Sequence, residues 1–124
     1  MKNFMSRYFS DHAETRDHHP DSSLQTKYYK ANKDEIFSIV EEMFQPPSKI
    51  KGSSRERGEL TVEYRDGRKA FVVVTIIMVR PYRSAVDFSV TTESALPFDF
   101  GYSHKLVSRF YEKLEDKLPV VEKT

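Results

Sequence analysis

The stretch that most constrains the fold of this chain is Lys69–Arg80, which reads KAFVVVTIIMVR. β-branched and apolar residues fill nearly every position, and Thr75 is the only polar residue between Ala70 and Val79. Side chains alternate between the two faces of a strand, so a strand that is apolar at successive positions is normally covered on both faces. The stretch therefore predicts a central strand of a sheet, with protein against each of its faces.

The composition narrows the class of protein. A chain of 124 residues is long enough for one domain. Its 20 Lys and Arg nearly balance its 19 Asp and Glu, so no strong net field would draw it to nucleic acid or to anionic lipid. It has no cysteine, which excludes disulfides and thiolate ligands. We expect a cytoplasmic protein, because the first residues lack the apolar core of a signal peptide and the longest apolar stretch is too short for a membrane helix.

The segments before the central strand predict one strand and one helix. Leu24–Lys30 contains Thr26 and two tyrosines, which favour a strand. Asn32 then stands as an N-cap, and Glu35 takes the capping-box position. A helix of about 13 residues follows, with apolar side chains at helical spacing at Ile36, Ile39, Val40, Met43 and Phe44.

The remaining segments predict more strands and a closing helix. A short strand at 48–53 precedes Glu59–Arg65, in which apolar and polar residues alternate as they do again in Ser84–Thr92. Asp66-Gly67 predicts a hairpin with a two-residue loop and positive φ at Gly67. Ser103 is the expected N-cap of the last helix, whose apolar stripe consists of Leu106, Val107, Phe110, Leu114 and Leu118.

The element order β-α-β-β-β-β-α predicts a two-layer α+β domain. Short connections between successive strands imply an antiparallel sheet, here of four or five strands, with both helices mainly on one face. This arrangement resembles helix-grip and TATA-binding-protein-like folds. We divide the chain into a polar N-terminal arm at residues 1–23, which is loosely held or forms a short extra helix, a domain at 24–119 and a tail at 120–124. The arm or a second subunit would cover the second face of the central strand.

Two groups of residues are candidate sites. The first, Arg80, Tyr82 and Arg83, lies at the corner between two strands, where two guanidinium groups beside a tyrosine would hold a carboxylate or phosphate. Ordinary charges at the end of a loop are the alternative. The second group lies between the last strand and the last helix, and its acid, hydroxyl and imidazole groups suit general acid–base chemistry. It comprises Glu93, Asp99, Tyr102 and His104.

The second group also has a structural interpretation, which we favour. Asp99 and Ser103 precede unpaired N–H groups of the last helix and would cap it, while Phe98 and Phe100 would pack beneath the loop. His104 would then lie in the first turn of a helix, where the dipole disfavours its protonation.

Neither a metal site nor a nucleic-acid site is expected. His12, His18 and His19 lie near carboxylates, but their spacing matches no metal motif. We therefore predict a solvated arm, no metal and no cofactor. The basic residues around the hairpin are interleaved with acidic ones, so paired charges on a solvated face explain them better than a nucleic-acid site does. They are Arg55, Arg57, Arg65, Arg68 and Lys69.

Two short motifs carry a family resemblance. Thr91-Thr92-Glu93-Ser94 ends a strand, and Asp99-Phe100-Gly101-Tyr102-Ser103 leads into the last helix. From about Glu35 to Leu118 the chain resembles bacterial proteins of domain-of-unknown-function family 1499, which have a Ser/Thr-rich strand end and an Asp-x-Gly element before a final helix. The family's arginines around that strand and its Asn-Arg pair before the helix are absent here. The resemblance implies a fold and no particular reaction.

These observations predict a non-enzymatic domain that binds an unknown small ligand or protein. A homodimer is one oligomeric state that we consider for it. The cleft between the sheet and the last helix is the default pocket. Two alternatives stay open. One is a small hydrolase or isomerase that uses Asp99, Tyr102 and His104, with Glu93 as a further group. The other is a weak nucleic-acid binder.

Overall fold

The computed structural model describes residues 12–93, 99 and 101–122. The described part contains seven strands and two α-helices, neither of which is long and apolar enough to cross a membrane. Numbered in chain order, they are β1 His12–Glu14, β2 Lys27–Tyr29, α1 Lys33–Met43, β3 Lys49–Ser54, β4 Glu59–Asp66, β5 Arg68–Arg80, β6 Arg83–Thr92, α2 Tyr102–Glu115 and β7 Val120–Val121.

All seven strands belong to one antiparallel sheet. Six of them follow the order β3-β4-β5-β6-β2-β7, and β1 pairs with β6 outside this order. The edge of β6 that faces away from β5 is shared by two strands, because β2 pairs with its first half and β1 with its second. Residues 15–26, which include a short 3-10 turn at Ser22–Leu24, leave the sheet between these two strands. The predicted α+β class and antiparallel sheet are confirmed, but the sheet has more strands than the four or five expected.

The two unexpected strands come from the segments assigned to the arm and the tail. In β1, Ala13 pairs with Val90 and is buried, and in β7 Val121 pairs with Tyr28 of β2. The described part of the arm is therefore bound to the sheet, and the expectation that residues 12–23 are loosely held is wrong. Strands of three and two residues are too short to show a periodic pattern, so only pairing with a neighbour reveals them.

Both helices lie against one face of the sheet, as predicted. On that face β4, β5 and β6 bury alternate side chains, among them Leu60, Val74 and Val90. The space between the sheet and α2 is filled by aromatic rings: the centroid of Phe88 lies 5.4 Å from that of Phe110 and 5.0 Å from that of Tyr111. The predicted pocket between the sheet and the last helix is thus occupied by the core.

Two glycines in tight turns have left-handed backbone conformations. Gly67 has φ +76°, as the sequence predicts, but the pairing of β4 with β5 continues to Asp66 and Arg68, so one residue rather than two separates the last pair. Gly58, between β3 and β4, has φ +72° and lies against β5, where its carbonyl accepts the Ile76 N–H at 2.7 Å. A Cβ atom on Gly58 would stand 2.3 Å from the Ile76 carbonyl oxygen, so the turn requires glycine there.

Candidate binding surface

Asp99 caps the last helix and is almost fully buried. Its Oδ1 accepts the N–H groups of Gly101 and Tyr102, and its Oδ2 accepts the N–H of Ser103, all at 3.0 Å. Oδ2 also accepts the Thr92 hydroxyl at 2.5 Å. These four donors confirm the structural interpretation of Asp99, whereas Ser103 lies inside α2 and is not its N-cap. A carboxylate at this end also complements the helix dipole. Phe98 and Phe100 lie outside the described residues.

His104 belongs to a buried polar cluster with the turn at residues 21–23. Its Nε2 lies 3.0 Å from Asp21 Oδ2 and 2.8 Å from Ser23 Oγ. These are the residue types of a nucleophilic triad, but the Ser23 hydroxyl donates its single proton to Asp21 Oδ1 at 2.7 Å. The Asp21 carboxylate can only accept, so Nε2 carries a proton that it donates and cannot act as a base for Ser23. The cluster fastens α2 to residues 21–23, a contact for which the sequence held no signal.

The other two residues of this group have separate surroundings. Glu93 is exposed and lies 3.5 Å from the Lys69 ammonium. Burial raises the pKa of Tyr102, whose ring carries the Arg68 guanidinium 4.2 Å from its centroid. Among the described residues, no hydrogen bond or ion pair joins Glu93, Asp99 and His104 to one another. The four candidates therefore do not form one acid–base cluster in this part of the chain.

Two histidines of the N-terminal segment, His12 and His19, contact different residues. His12 Nδ1 lies 2.6 Å from Thr91 Oγ1, and its Nε2 lies 3.2 Å from Glu14. His19 accepts the Asp21 N–H at 3.0 Å, and burial, followed by the charge of Arg16, lowers its pKa. No group of three or more His, Cys, Asp and Glu within the described ranges is arranged to hold a metal ion.

Arg80, Tyr82 and Arg83 lie at the turn between β5 and β6, which we call the hairpin tip (residues 80–83). Tyr82 is 65% exposed, and with φ +60° it is the only residue other than glycine in the described part with positive φ. Its N–H donates to Asn32 Oδ1 at 2.6 Å, so Asn32 holds the tip rather than bonding to an N–H of α1. Arg83 donates to the carbonyl of Glu122 at 2.7 Å.

The face of the sheet opposite the helices is exposed in the described part. We call it the open face, and its centre is a row on β5 formed by Phe71, Val73, Thr75, Ile77 and Val79, of which the central Val73 and Thr75 are only partly exposed. Phe71 is 50% exposed, and Ile77 and Val79 are each 54% exposed. The expectation of cover on both faces is therefore not met by any described element. The part of the arm at residues 1–11 lies outside the described residues.

Three shallow depressions lie on the open face, with volumes of about 390, 320 and 170 Å³. The largest surrounds Phe71, and the second surrounds Ile77 and Val79. Between them, Asp87 accepts hydrogen bonds from the hydroxyls of Thr15 at 2.7 Å and Thr26 at 2.6 Å. These bonds link the two ends of the segment 15–26 to β6. This face was not predicted as a site from the sequence, although the apolar residues on both faces of β5 were its signal.

The basic residues around the β4–β5 hairpin do not gather on one side. Arg65 bonds to Glu63 on the open face, which together with nearby cations lowers the Glu63 pKa. Arg55 instead reaches α1, where it bonds to Glu41 at 3.1 Å and stacks over Phe37. Paired charges thus account for much of this basic character, as the sequence predicts.

Comparisons with known proteins add no relative. No protein-family model matches the chain, and a search of curated proteins found no match. The resemblance to domain-of-unknown-function family 1499 is not tested by these comparisons and stays a prediction. The surface must therefore be interpreted from its own chemistry.

Proposed function

We propose that this protein is a non-enzymatic binding domain whose open face binds a partner protein. The observation that carries the proposal is the exposed apolar row at the centre of the sheet. Isolated exposed apolar residues are common, but a contiguous apolar patch with a polar rim is typical of an interaction site. Here the apolar surface has two parts on one strand, Phe71 at one end and Ile77 with Val79 at the other, joined through Val73 and Thr75. Polar residues at their rim include Glu63, Lys69 and Asp87.

The dimensions of the row favour a protein over a small ligand. From residue 71 to residue 79 a strand extends about 27 Å, at roughly 3.4 Å per residue. A small ligand would fill one depression and leave the rest of the row in water, whereas a helix or strand of a partner would cover all of it. The largest of the three depressions on the open face, at about 390 Å³, supports a small ligand as the second candidate.

The contacts of the acidic and imidazole groups support a non-enzymatic role. Asp99 and His104, which would serve a hydrolase or isomerase, are engaged in bonds that hold α2 in place. A general base needs a lone pair directed at a substrate, and these groups direct theirs at the protein itself. Residence in the cytoplasm and a homodimer stay predictions.

The test is site-specific photo-crosslinking in cells that express the protein. A benzoylphenylalanine residue replaces Phe71 in one variant and Lys113, an exposed residue of α2, in a matched control. We expect a crosslinked adduct of defined mass from position 71 and a much weaker one from position 113. Equal crosslinking at both positions, or none at position 71, would refute binding at the open face. An adduct of twice the mass of the chain would identify the partner as a second copy.

A further inference from the structure

We infer that the partner is an acidic protein segment with aromatic or other apolar side chains, and that it contacts the hairpin tip through Tyr82. The inference rests on the proposed function, because it names the class of partner and the end of the open face that it approaches. Three observations carry it: the distribution of charge, the clustering of exposed apolar side chains and the backbone of Tyr82.

Charge is distributed unevenly along the chain. Residues 49–83, which form β3, β4, β5 and their turns, contain nine Lys and Arg against four Asp and Glu. This segment therefore carries +5 in a chain whose net charge is +1, so the remaining residues carry −4. The half of the sheet formed by β3, β4 and β5 thus attracts carboxylates, even though some of its arginines are paired.

The end of β5 next to the hairpin tip lies near cationic residues from three connections. Gly58 pairs with Ile76, which brings the turn before β4 and its exposed Arg57 to this end of β5. The Tyr82 N–H bonds to Asn32, which brings the β2–α1 connection and its exposed Lys30 to the same end. With Arg80 and Arg83 of the hairpin tip, four cationic residues from three connections thus lie near this end of β5, where the acidic residues include Asp17, Glu56 and Asp87.

Exposed apolar side chains concentrate at the same end. Of the seven large hydrophobic residues of the described part that are exposed, Ile77, Val79 and Tyr82 lie on the open face or at the hairpin tip, whereas Met78 and Val120 follow the register of the helix-covered face. Tyr, Met and Arg are the side chains most enriched at protein interfaces, and Tyr and Arg dominate their binding energy. The composition of this end is therefore that of a protein-binding site.

The backbone of Tyr82 gives independent support. A tyrosine with φ +60° is strained, and glycine or asparagine would suit this turn better. The ring is 65% exposed and takes part in none of the ring contacts within the described ranges, so it contributes little packing there to offset the strain. A costly side chain that leaves its ring in water is best explained by a contact outside the chain.

The acidic residues of the open face favour a protein over a phosphate-bearing partner. Glu14, Glu63 and Asp87 lie beside the apolar row, and Glu59 lies on the neighbouring strand. A nucleic acid or an anionic bilayer laid on this face would bring phosphates against these carboxylates, whereas a protein segment can place a donor or a cation opposite each one.

The test uses two synthetic polymers as probes, poly-glutamate and a random copolymer of glutamate and tyrosine, with binding followed by fluorescence anisotropy at physiological salt. We expect the copolymer to bind at least tenfold more tightly than poly-glutamate. The double variant Arg57→Gln/Arg80→Gln should weaken copolymer binding about tenfold. The matched control Lys105→Gln/Lys113→Gln removes the same charge from exposed positions of α2, on the other side of the sheet, and should change binding less than twofold.

A third variant separates binding from folding. Tyr82→Gly removes the ring and relieves the strain, so it should weaken copolymer binding about tenfold while the denaturation midpoint stays the same or rises. Equal losses in the two double variants would show unspecific attraction and overturn the inference. No binding of the copolymer, unchanged binding by Tyr82→Gly, or tighter binding to phosphatidylglycerol vesicles than to the copolymer would also overturn it. Crosslinking at position 71 without these polymer effects would leave the proposed function standing and reject only the partner class.

Discussion

Replacing Gly58 by alanine tests the close approach of the β3–β4 turn to the backbone of β5, and Gly67 provides the matched control. Both glycines have positive φ, +72° and +76°, so alanine meets the same conformational strain at each position. That strain is about 1–2 kcal/mol for an L-residue, partly offset by the smaller entropy of the unfolded chain when glycine is replaced. Gly67→Ala should therefore lower the free energy of unfolding by about 1 kcal/mol.

The two positions differ in the space around the added methyl group. At Gly67 nothing lies within 4 Å of an added Cβ, whereas at Gly58 the Cβ would stand 2.3 Å from the Ile76 carbonyl oxygen. Backbone cannot rotate away as a side chain would, so the turn or β5 has to move. That movement weakens the 2.7 Å bond from the Ile76 N–H to the Gly58 carbonyl, and losing such a buried bond costs about 1–3 kcal/mol. Gly58→Ala should thus cost about 2–4 kcal/mol.

Urea denaturation of the wild type and both variants measures these free energies of unfolding. The values can be compared if the free energy falls with urea concentration at the same slope in all three proteins. The informative quantity is the difference between the variants, because the strain common to both cancels. If Gly58→Ala costs no more than Gly67→Ala, the β3–β4 turn does not lie against β5. If Gly67→Ala costs nothing, the left-handed turn at Gly67 is wrong.

Three further predictions concern the core, the cap of α2 and a buried tyrosine. Ile76→Ala should cost about 2–5 kcal/mol in the same assay, because Ile76 is 0% exposed; a loss below about 0.5 kcal/mol would contradict its central place. Asp99→Ala should cost about 2 kcal/mol, since four donors lose their acceptor, and unchanged stability together with lost binding would make Asp99 a site residue. Burial and the bond to Asp17 raise the pKa of Tyr28 to about 12. The neutral phenol stabilises the fold below pH 10, and this contribution is lost as the pH rises towards 12, so Tyr28→Phe should flatten a stability profile measured over that range.

The strands with a readable alternation were predicted from the sequence, and the shortest ones were not. Glu59–Arg65 and Ser84–Thr92 each show several periods of apolar and polar residues, which is enough to assign a strand and a face. Val120–Val121 shows no period, and its assignment depends on pairing with Tyr28 and Tyr29. Turn chemistry predicted positive φ at Gly67, but the loop length follows from the register of the whole hairpin, which local residues do not determine.

The sequence indicated which residues were chemically suited to the candidate sites, but not which of them contact one another. Asp99 was recognised as a cap because it precedes a helix, a relation that lies within a few residues. The bond of His104 to Asp21 joins residues 83 positions apart, and nothing local to either residue indicates it. For the same reason the grouping of Glu93, Asp99, Tyr102 and His104 along the sequence did not translate into one cluster.

Burying the apolar row of the open face under a partner would contribute only a limited binding free energy. Fully burying a side chain of this kind is worth about 1.5–3 kcal/mol. Phe71, Ile77 and Val79 are each about half exposed, so completing their burial would contribute about 1 kcal/mol each. About 3 kcal/mol is less than the roughly 4 kcal/mol of a millimolar complex, before any cost of ordering the partner. Contacts beyond the row are therefore needed for stable binding, and the exposed Tyr82 and the cations of the hairpin end are the groups in the right place to supply them.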